Sequence, residues 1–164
     1  MRTKAIAEDS LNAILRALTR PNRLACMVSL STGLRISDVL NIKTEQLRQE
    51  RFTVTEMKTG KRRRLRLPQQ LRLDCLRISG KVYVFPNRLT EVKPRTRQAV
   101  WKDLHRVARL FGLKGGIAAH SFRKTYAIGL RKQGLSASQI AKALNHSDPC
   151  ITALYMYADE LALK

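Results

Sequence analysis

The chain has 164 residues, with 32 lysines and arginines against 12 aspartates and glutamates, and a formal net charge of +20. This length predicts a single domain, and 44% hydrophobic residues exclude a disordered basic tail, which lacks the apolar side chains for a core. The charge indicates a polyanionic partner, either nucleic acid or an anionic membrane surface.

The three cysteines, Cys26, Cys75 and Cys150, are widely spaced and form no C-x-x-C pair. This pattern argues against a disulfide framework or a zinc site and indicates a reducing cytoplasm. The first residues carry Glu8 and Asp9 where a signal peptide needs an apolar run. No stretch approaches the length of a membrane span, so the sequence predicts no membrane partner.

The first half of the chain predicts three helices followed by a hairpin. Apolar residues spaced i, i+3, i+4 and i+7 over 11–18 indicate an amphipathic helix with Ser10 as its N-cap. A second helix runs from Pro21 and stops at Gly33, a residue that favours the position after a helix. The remaining predicted elements are a short helix over 38–42 capped by Ser37, strands over 52–55 and 62–67, a helix over 71–78 and an extended segment over 82–85.

The second half of the chain is predicted to be helical. Thr96 caps a long helix that ends at Gly112 and presents an apolar face of Val100, Trp101, Leu104, Val107, Ala108 and Phe111. Further helices are predicted over 120–132, then from a capping box of Ser136 and Gln139 to Asn145, and from Pro149 onward. The predicted fold class is therefore α+β, mainly α, with a small antiparallel sheet.

The positive charge is concentrated in the first four-fifths of the chain. Residues 134–164 hold two basic and three acidic side chains, which leaves 30 basic and nine acidic side chains on residues 1–133. A cationic surface is therefore expected on residues 1–133, and the last 31 residues contribute little to it.

Four short segments carry residues suited to phosphate chemistry. Arg35 lies in Thr32-Gly-Leu-Arg-Ile-Ser-Asp38, and Lys58 opens a hairpin turn. His120 and Arg123 are spaced i, i+3 and share a helical face. His146 precedes Tyr155 by nine residues. The hairpin also contains the basic residues expected to bind the DNA backbone: Lys61, Arg62, Arg63, Arg64 and Arg66.

In this order, the segments resemble the catalytic constellation of the tyrosine recombinase (phage integrase) family. That family's pattern is Arg, a hairpin Lys, His-x-x-Arg, His or Trp, and Tyr. The matching positions here are Arg35, Lys58, His120, Arg123, His146 and Tyr155. The resemblance covers about residues 10–160 and implies that family's catalytic fold, a helical bundle with a small antiparallel sheet. It also implies double-stranded DNA as partner, with a homodimer or tetramer assembled on it.

The chemistry of these residue types fits the resemblance. Arg35 and Arg123 can grip the non-bridging oxygens of a phosphodiester with forked hydrogen bonds. His120 and His146 can move protons near neutral pH. The resemblance makes Tyr155 the nucleophile and Lys58 the general acid. Asp38 is expected to orient Arg35 or a histidine. Because fixed cations supply the electrostatic stabilisation, no metal or other cofactor is required.

Alternatives to this interpretation remain open. Taken alone, Arg35 is better explained by capping the carbonyls that end the second helix. Tyr157 is a rival nucleophile, but two residues on a helix point to opposite sides, so the two tyrosines cannot share a site. Residues 135–157 also resemble a helix-turn-helix, which would make the protein a non-catalytic DNA-binding regulator. A degenerate recombinase that binds without cutting and a type IB topoisomerase-like enzyme are further possibilities.

The resemblance also predicts the domain organisation and location. Residues 1–164 are expected to form one catalytic domain, because Arg35 arrives too early to leave room for a core-binding domain before it. The sequence is then either a natural one-domain member of the family or a fragment of a longer integrase. A bacterial or phage-encoded protein of this kind is expected in the cytoplasm, on the nucleoid.

Overall fold

The computed structural model describes residues 6, 8–113 and 117–145. The described chain is mainly helical, with one antiparallel hairpin, so the predicted fold class is confirmed. The elements are α1 (Glu8–Ala17), α2 (Arg20–Thr32), α3 (Ile36–Leu40), α4 (Thr44–Arg48), β1 (Arg51–Thr55), β2 (Arg62–Arg66), α5 (Gln69–Arg77), α6 (Arg97–Leu110), α7 (Ala119–Lys132) and α8 (Ala137–Ala143).

Helix α2 is the central element of the bundle. It packs against α1, α3, α5, α6 and α7, and its residues Ala25 and Cys26 have no exposed surface. A helix surrounded in this way needs apolar or hydrogen-bonded side chains on most of its circumference. Asn22 meets that requirement through hydrogen bonds to the Asp103 carboxylate at 2.8 Å and from Arg95 at 2.6 Å.

The hairpin pairs β1 with β2 from Arg51 opposite Arg66 to Thr55 opposite Arg62. Side chains alternate along β1, with Phe52 and Val54 buried. One face of the hairpin therefore packs on the helical core, and residues 56–61 connect its two strands. The segment over 82–85, predicted to be extended, does not form a strand: it bends on either side of an isolated bridge between Tyr83 and Lys43, and the Val84 amide donates to the Ile42 carbonyl at 3.0 Å.

A second, smaller apolar cluster joins α7 and α8. Ala127, Ile140 and Leu144 are its buried members, and Tyr126 packs against them. The apolar face of α8 is therefore occupied by α7. The predicted capping box is confirmed, since the Ser136 hydroxyl accepts from the Gln139 amide and the Ser136 amide donates to the Gln139 side chain at 2.8 Å.

Several predicted helix boundaries are wrong. Ser10 lies inside α1, and Ser37 lies inside α3, which begins two residues earlier than predicted. The position before α3 belongs to Arg35, whose extended backbone (φ −67°, ψ 145°) follows directly from the turn at Gly33. Helix α4 was not predicted, because five residues with one buried leucine are too short to show a periodic pattern.

Two aromatic residues assigned to the apolar face of α6 are exposed. Trp101 is 49% exposed and Phe111 44% exposed. The buried apolar residues of α6 are Val100, Leu104, Val107 and Ala108. Trp101 is rotated about 100° from Val100 around the helix axis, so its ring lies at the edge of the buried face. The ring packs against that of His105, with the two ring centroids 3.9 Å apart and the planes tilted by 34°.

None of the helices in the described ranges is long and apolar enough to cross a membrane.

Replacing Gly33 with alanine is expected to destabilise the protein by roughly 2–5 kcal/mol. Gly33 has φ +68°, and a Cβ there would lie 2.5 Å from Tyr126 Cδ1 and 2.9 Å from Leu144 Cδ2. Gly134→Ala is the matched control, because Gly134 has φ +88° with no neighbour within 4 Å of a Cβ. It should lose only the backbone contribution, about 1–2 kcal/mol. Urea unfolding measures the stability of both variants. An equal loss of stability in the two would contradict the close approach of Tyr126 and Leu144 to position 33.

Candidate active site

Arg35 lies at the junction of α2 and α3, where the chain turns sharply after Gly33. Its side chain is 23% exposed, and Nη1 lies 2.6 Å from Oε2 of Glu56. The carbonyls that end α2 are bound by other arginines: Arg63 donates to Thr32 O at 2.8 Å and Arg123 to Gly33 O at 2.5 Å. Among the described hydrogen bonds, helix capping is thus carried out by Arg63 and Arg123, not by Arg35.

Arg123 is buried in α7, with 2% of its surface exposed. Its Nη1 binds Gly33 O and its Nη2 binds Leu144 O at 2.6 Å. The second contact is made where α8 ends and Asn145 adopts a left-handed conformation (φ 58°), which asparagine tolerates better than most residues. Burial, followed by the positive charge of Arg35, lowers the pKa of Arg123 to about 10, so its guanidinium stays protonated at neutral pH.

Arg35, His120 and Arg123 line one cavity of about 780 Å³. His120 and Arg123 reach it from the same face of α7, as their spacing predicted, and Arg35 reaches it from the α2–α3 junction. The first turns of α6 and the start of α3 form the other walls of the cavity, contributed by Ile36, Ser37, Thr96, Arg97, Gln98 and Trp101, with Ala118 and Ala119 beside His120. The structure therefore brings together three of the six predicted catalytic residues, although the first and the last of them are 88 positions apart in sequence.

Lys58 lies in a second concave region, of about 480 Å³, that adjoins the first. Arg35 and Arg97 line both regions, and Met57 and Arg95 also line the second. Lys58 is exposed in the hairpin turn. The structure thus places Lys58 in a concave region that shares Arg35 with the cavity lined by His120.

The basic residues of the hairpin do not all face solvent. Lys61, Arg62, Arg64 and Arg66 are exposed, and Arg66 forms an ion pair with Glu50. Arg63 points inward, where it binds the Thr32 carbonyl and lies 3.5 Å from Glu56 Oε1. The assignment of Arg63 to the DNA-binding surface is therefore corrected. Strand alternation places its side chain on the inner face of the hairpin, next to the Thr32 carbonyl and the Glu56 carboxylate.

Asp38 contacts a different group from those predicted. Its Oδ1 accepts a hydrogen bond from the Met57 amide at 2.9 Å, whereas the carboxylate hydrogen-bonded to Arg35 is that of Glu56. Burial, with a further contribution from the nearby charge of Glu56, raises the pKa of Asp38 above its ordinary value. Asp38 therefore ties the hairpin turn to α3 rather than holding Arg35 directly.

Glu56 was missed in the sequence, although a signal for it was present. Phe52 and Val54 alternate on the inward face of β1, and continuing that period by two residues places Glu56 on the same face. A carboxylate at a buried position requires cationic or hydrogen-bonding partners. The inward register of β1 was therefore sufficient to predict a buried ion pair near the hairpin turn.

His146, Tyr155 and the rival Tyr157 lie outside the described residues, as do the predicted helix from Pro149 onward and the second half of the candidate helix-turn-helix. Their assigned roles stay predictions.

His120 is expected to titrate below pH 6.5. Burial, followed by the positive charges of Arg123, Lys124 and Arg35, lowers the pKa of His120, because each disfavours the imidazolium. The unfolded chain therefore takes up this proton at a higher pH, and stability should fall as pH drops from 6.5 towards the folded pKa. NMR titration of the imidazole measures the midpoint, with His120→Gln to assign the signal. A midpoint above 6.5 would contradict the expected environment.

These observations define a class of site. Two guanidiniums and a half-buried imidazole converge on one cavity in a strongly cationic domain, which is an arrangement suited to an oxyanion such as a phosphodiester. The phage integrase family model matches residues 4–161. The chain belongs to the phage integrase family.

Two curated relatives are similar to most of the chain. "Probable integrase/recombinase YoeC" of Bacillus subtilis is 28% identical over 136 residues, which cover 80% of this chain and 74% of the relative. "Tyrosine recombinase XerA" of Pyrococcus furiosus is 25% identical over 163 residues, covering 93% of this chain and 56% of the relative. The chain thus corresponds to little more than half the length of the second protein.

The fold also matches a solved structure of residues 75–356 of lambda integrase, a dimer bound to a COC′ core site. The TM-score is 0.76 at 20% sequence identity, and the match covers 94% of this chain and 59% of the other. At this identity the likeness shows the fold.

Proposed function

We propose that this chain catalyses site-specific DNA recombination, by breaking and rejoining strands through a covalent tyrosyl intermediate. The observation that carries the proposal is the convergence of Arg35, His120 and Arg123 on one cavity, with Lys58 in the adjoining one. Membership of the phage integrase family supports the same reaction. Integration, excision and inversion all use this chemistry.

The proposed reaction starts with attack of the Tyr155 oxygen on the scissile phosphorus. The bond from phosphorus to the 5′ oxygen breaks as the bond to Tyr155 forms, and the DNA is left joined to the enzyme through its 3′ phosphate. His120 or His146 accepts the tyrosine proton, and Lys58 protonates the departing 5′ oxygen. The reverse steps join the phosphate to another 5′-hydroxyl. The covalent bond conserves the energy of the broken bond, so no nucleotide cofactor is consumed.

Arg35 and Arg123 have a distinct part in this reaction. The scissile phosphate carries one negative charge and gains more on its equatorial oxygens in the transition state. Guanidiniums fixed before the reaction stabilise that charge without having to reorganise. The near-complete burial of Arg123 and the ion pair of Arg35 with Glu56 support such preorganisation.

The proposed partner is double-stranded DNA, bound mainly through its phosphates. The exposed hairpin residues Lys61, Arg62, Arg64 and Arg66 support backbone contacts beside the cavity, so affinity should fall steeply as salt rises. We propose that residues 1–164 act as one catalytic domain and assemble as a dimer or tetramer on DNA in the bacterial cytoplasm. The lambda integrase dimer on its core site supports that assembly.

Incubation with a suicide duplex, nicked so that the cleaved product diffuses away, tests the proposed reaction. The wild-type protein should form a covalent adduct that survives denaturation, and Tyr155→Phe should abolish it. Tyr157→Phe is the matched control, because it removes the same hydroxyl two residues away and should preserve the adduct. An adduct on Tyr157 would overturn the choice of nucleophile. Sequence-specific DNA binding with no adduct, unaffected by Arg35→Ala, would favour the non-catalytic regulator.

A further inference from the structure

Glu56 is a fully buried carboxylate at the point where β1 enters the hairpin turn. Its Oε2 accepts hydrogen bonds from Arg35 Nη1 at 2.6 Å and from the Thr59 hydroxyl at 3.3 Å. Its Oε1 lies 3.5 Å from Arg63 Nη1. The carboxylate therefore joins an arginine of the catalytic cavity to two residues of the hairpin.

The backbone of Glu56 also defines the turn that carries Lys58. Its amide donates to the Lys61 carbonyl at 3.0 Å, and its carbonyl accepts from the Gly60 amide at 2.8 Å. Lys58 thus lies in a turn that is closed by the backbone hydrogen bonds of Glu56, and the side chain of the same residue binds Arg35. A displacement of Glu56 would change the positions of Arg35 and Lys58 together.

Glu56 also reduces the repulsion among the cations around it. Burial lowers the pKa of Arg123 most, and the positive charges of Arg35 and Arg63 lower it further, whereas the negative charge of Glu56 raises it. A buried carboxylate without partners would be strongly unfavourable, and so would neighbouring guanidiniums without a counter-charge. The arrangement therefore depends on the charge of Glu56 as well as on its shape.

We propose that the Glu56 side chain is a positioning group that fixes Arg35 at a single phosphate, while the backbone of Glu56 closes the turn that carries Lys58 and is unchanged by a side-chain substitution. This inference rests on the proposed function. Arg35 uses a donor on Nη1 to bind Glu56, and its guanidinium has five N–H donors in all. The ion pair with Glu56 sets the orientation in which the remaining donors meet the phosphate. Glu56 acts through Arg35 and does not contact DNA.

The substitution Glu56→Gln tests the inference because it retains the shape of the side chain and removes its charge. The single-turnover cleavage rate on the suicide duplex, at saturating protein, should fall roughly 10- to 100-fold, since small misplacements of a catalytic group have effects of this size. The dissociation constant for DNA should change little. The matched control is Glu50→Gln, at the open end of the same hairpin, whose ion pair with Arg66 is 63% exposed on both sides. It should cleave at the wild-type rate.

A double-mutant cycle with Arg35→Lys separates positioning from a general loss of stability. If Glu56 acts through Arg35, the double variant should cleave no more slowly than Arg35→Lys alone. Effects that multiply would overturn the inference, as would wild-type cleavage by Glu56→Gln. A wild-type protein that forms no adduct would instead contradict the proposed function.

A second measurement does not depend on cleavage. NMR relaxation of the Arg35 Nε–H group should show a rigid side chain in the wild-type protein and in Glu50→Gln. In Glu56→Gln the same group should become mobile on the picosecond to nanosecond timescale. An Arg35 side chain equally rigid in all three proteins would overturn the positioning role, whether or not DNA is cleaved.

Discussion

Arg123→Ala is expected to remove DNA cleavage and a large part of the folding stability together. The side chain joins three parts of the chain: it is carried by α7, and it binds Gly33 O after α2 and Leu144 O at the end of α8. Alanine leaves both buried carbonyls without these donors and empties the space of a guanidinium that is 2% exposed. A loss of about 2–5 kcal/mol is expected, because each unsatisfied buried group costs about 1–3 kcal/mol.

The loss of cleavage should exceed what reduced folding explains. At a temperature and protein concentration where Arg123→Ala remains folded, the single-turnover rate should still be at least about 100-fold lower. Urea unfolding measures stability, and the suicide duplex measures cleavage. Wild-type stability in Arg123→Ala would contradict the two carbonyl contacts. A folded variant that cleaves normally would show that Arg123 serves only the fold.

The long helices and the hairpin were predictable because their signals are local. The glycines after α2 and α7, the Thr96 cap and the Ser136 capping box each act within a few residues, and all were confirmed. The end of α8 also followed from its sequence, since Asn145 accepts the left-handed conformation. Helix α4 gives no such signal, because its five residues contain a single buried leucine and no periodic apolar pattern.

Three of the predicted site residues, Arg35, His120 and Arg123, line one cavity, but their contacts were not predictable from the sequence. His120 and Arg123 share a helix face by spacing alone, whereas the approach of Arg35 depends on how α2 packs against α7. The inward turn of Arg63 and the pairing of Arg35 with Glu56 depend on the register of the hairpin. The basic hairpin was interpreted as one exposed surface, although strand alternation was bound to divide it into inner and outer side chains.

Arg35→Lys is expected to reduce cleavage by about 100-fold or more while changing DNA affinity little. Lysine keeps the positive charge but replaces a planar fork of donors with a compact ammonium on a flexible stem. It cannot bind Glu56 and a phosphate in the fixed, divergent geometry of a guanidinium. Since the Arg35 side chain is 23% exposed and Glu56 retains Thr59 and Arg63 nearby, the stability loss should be smaller than that of Arg123→Ala.

The matched control for this prediction is Arg77→Lys. Arg77 ends α5, its side chain is 62% exposed, and it pairs with Asp74 one turn away. The substitution makes the same chemical change at a site with no role in the cavity, so cleavage should stay at the wild-type rate. Equal cleavage by Arg35→Lys and Arg77→Lys would show that position 35 needs only a positive charge. A large loss of cleavage confined to Arg35→Lys would instead show that cleavage requires the guanidinium geometry held by Glu56. Both substitutions keep the positive charge and nearly the same side-chain length, so neither of these properties would explain the difference.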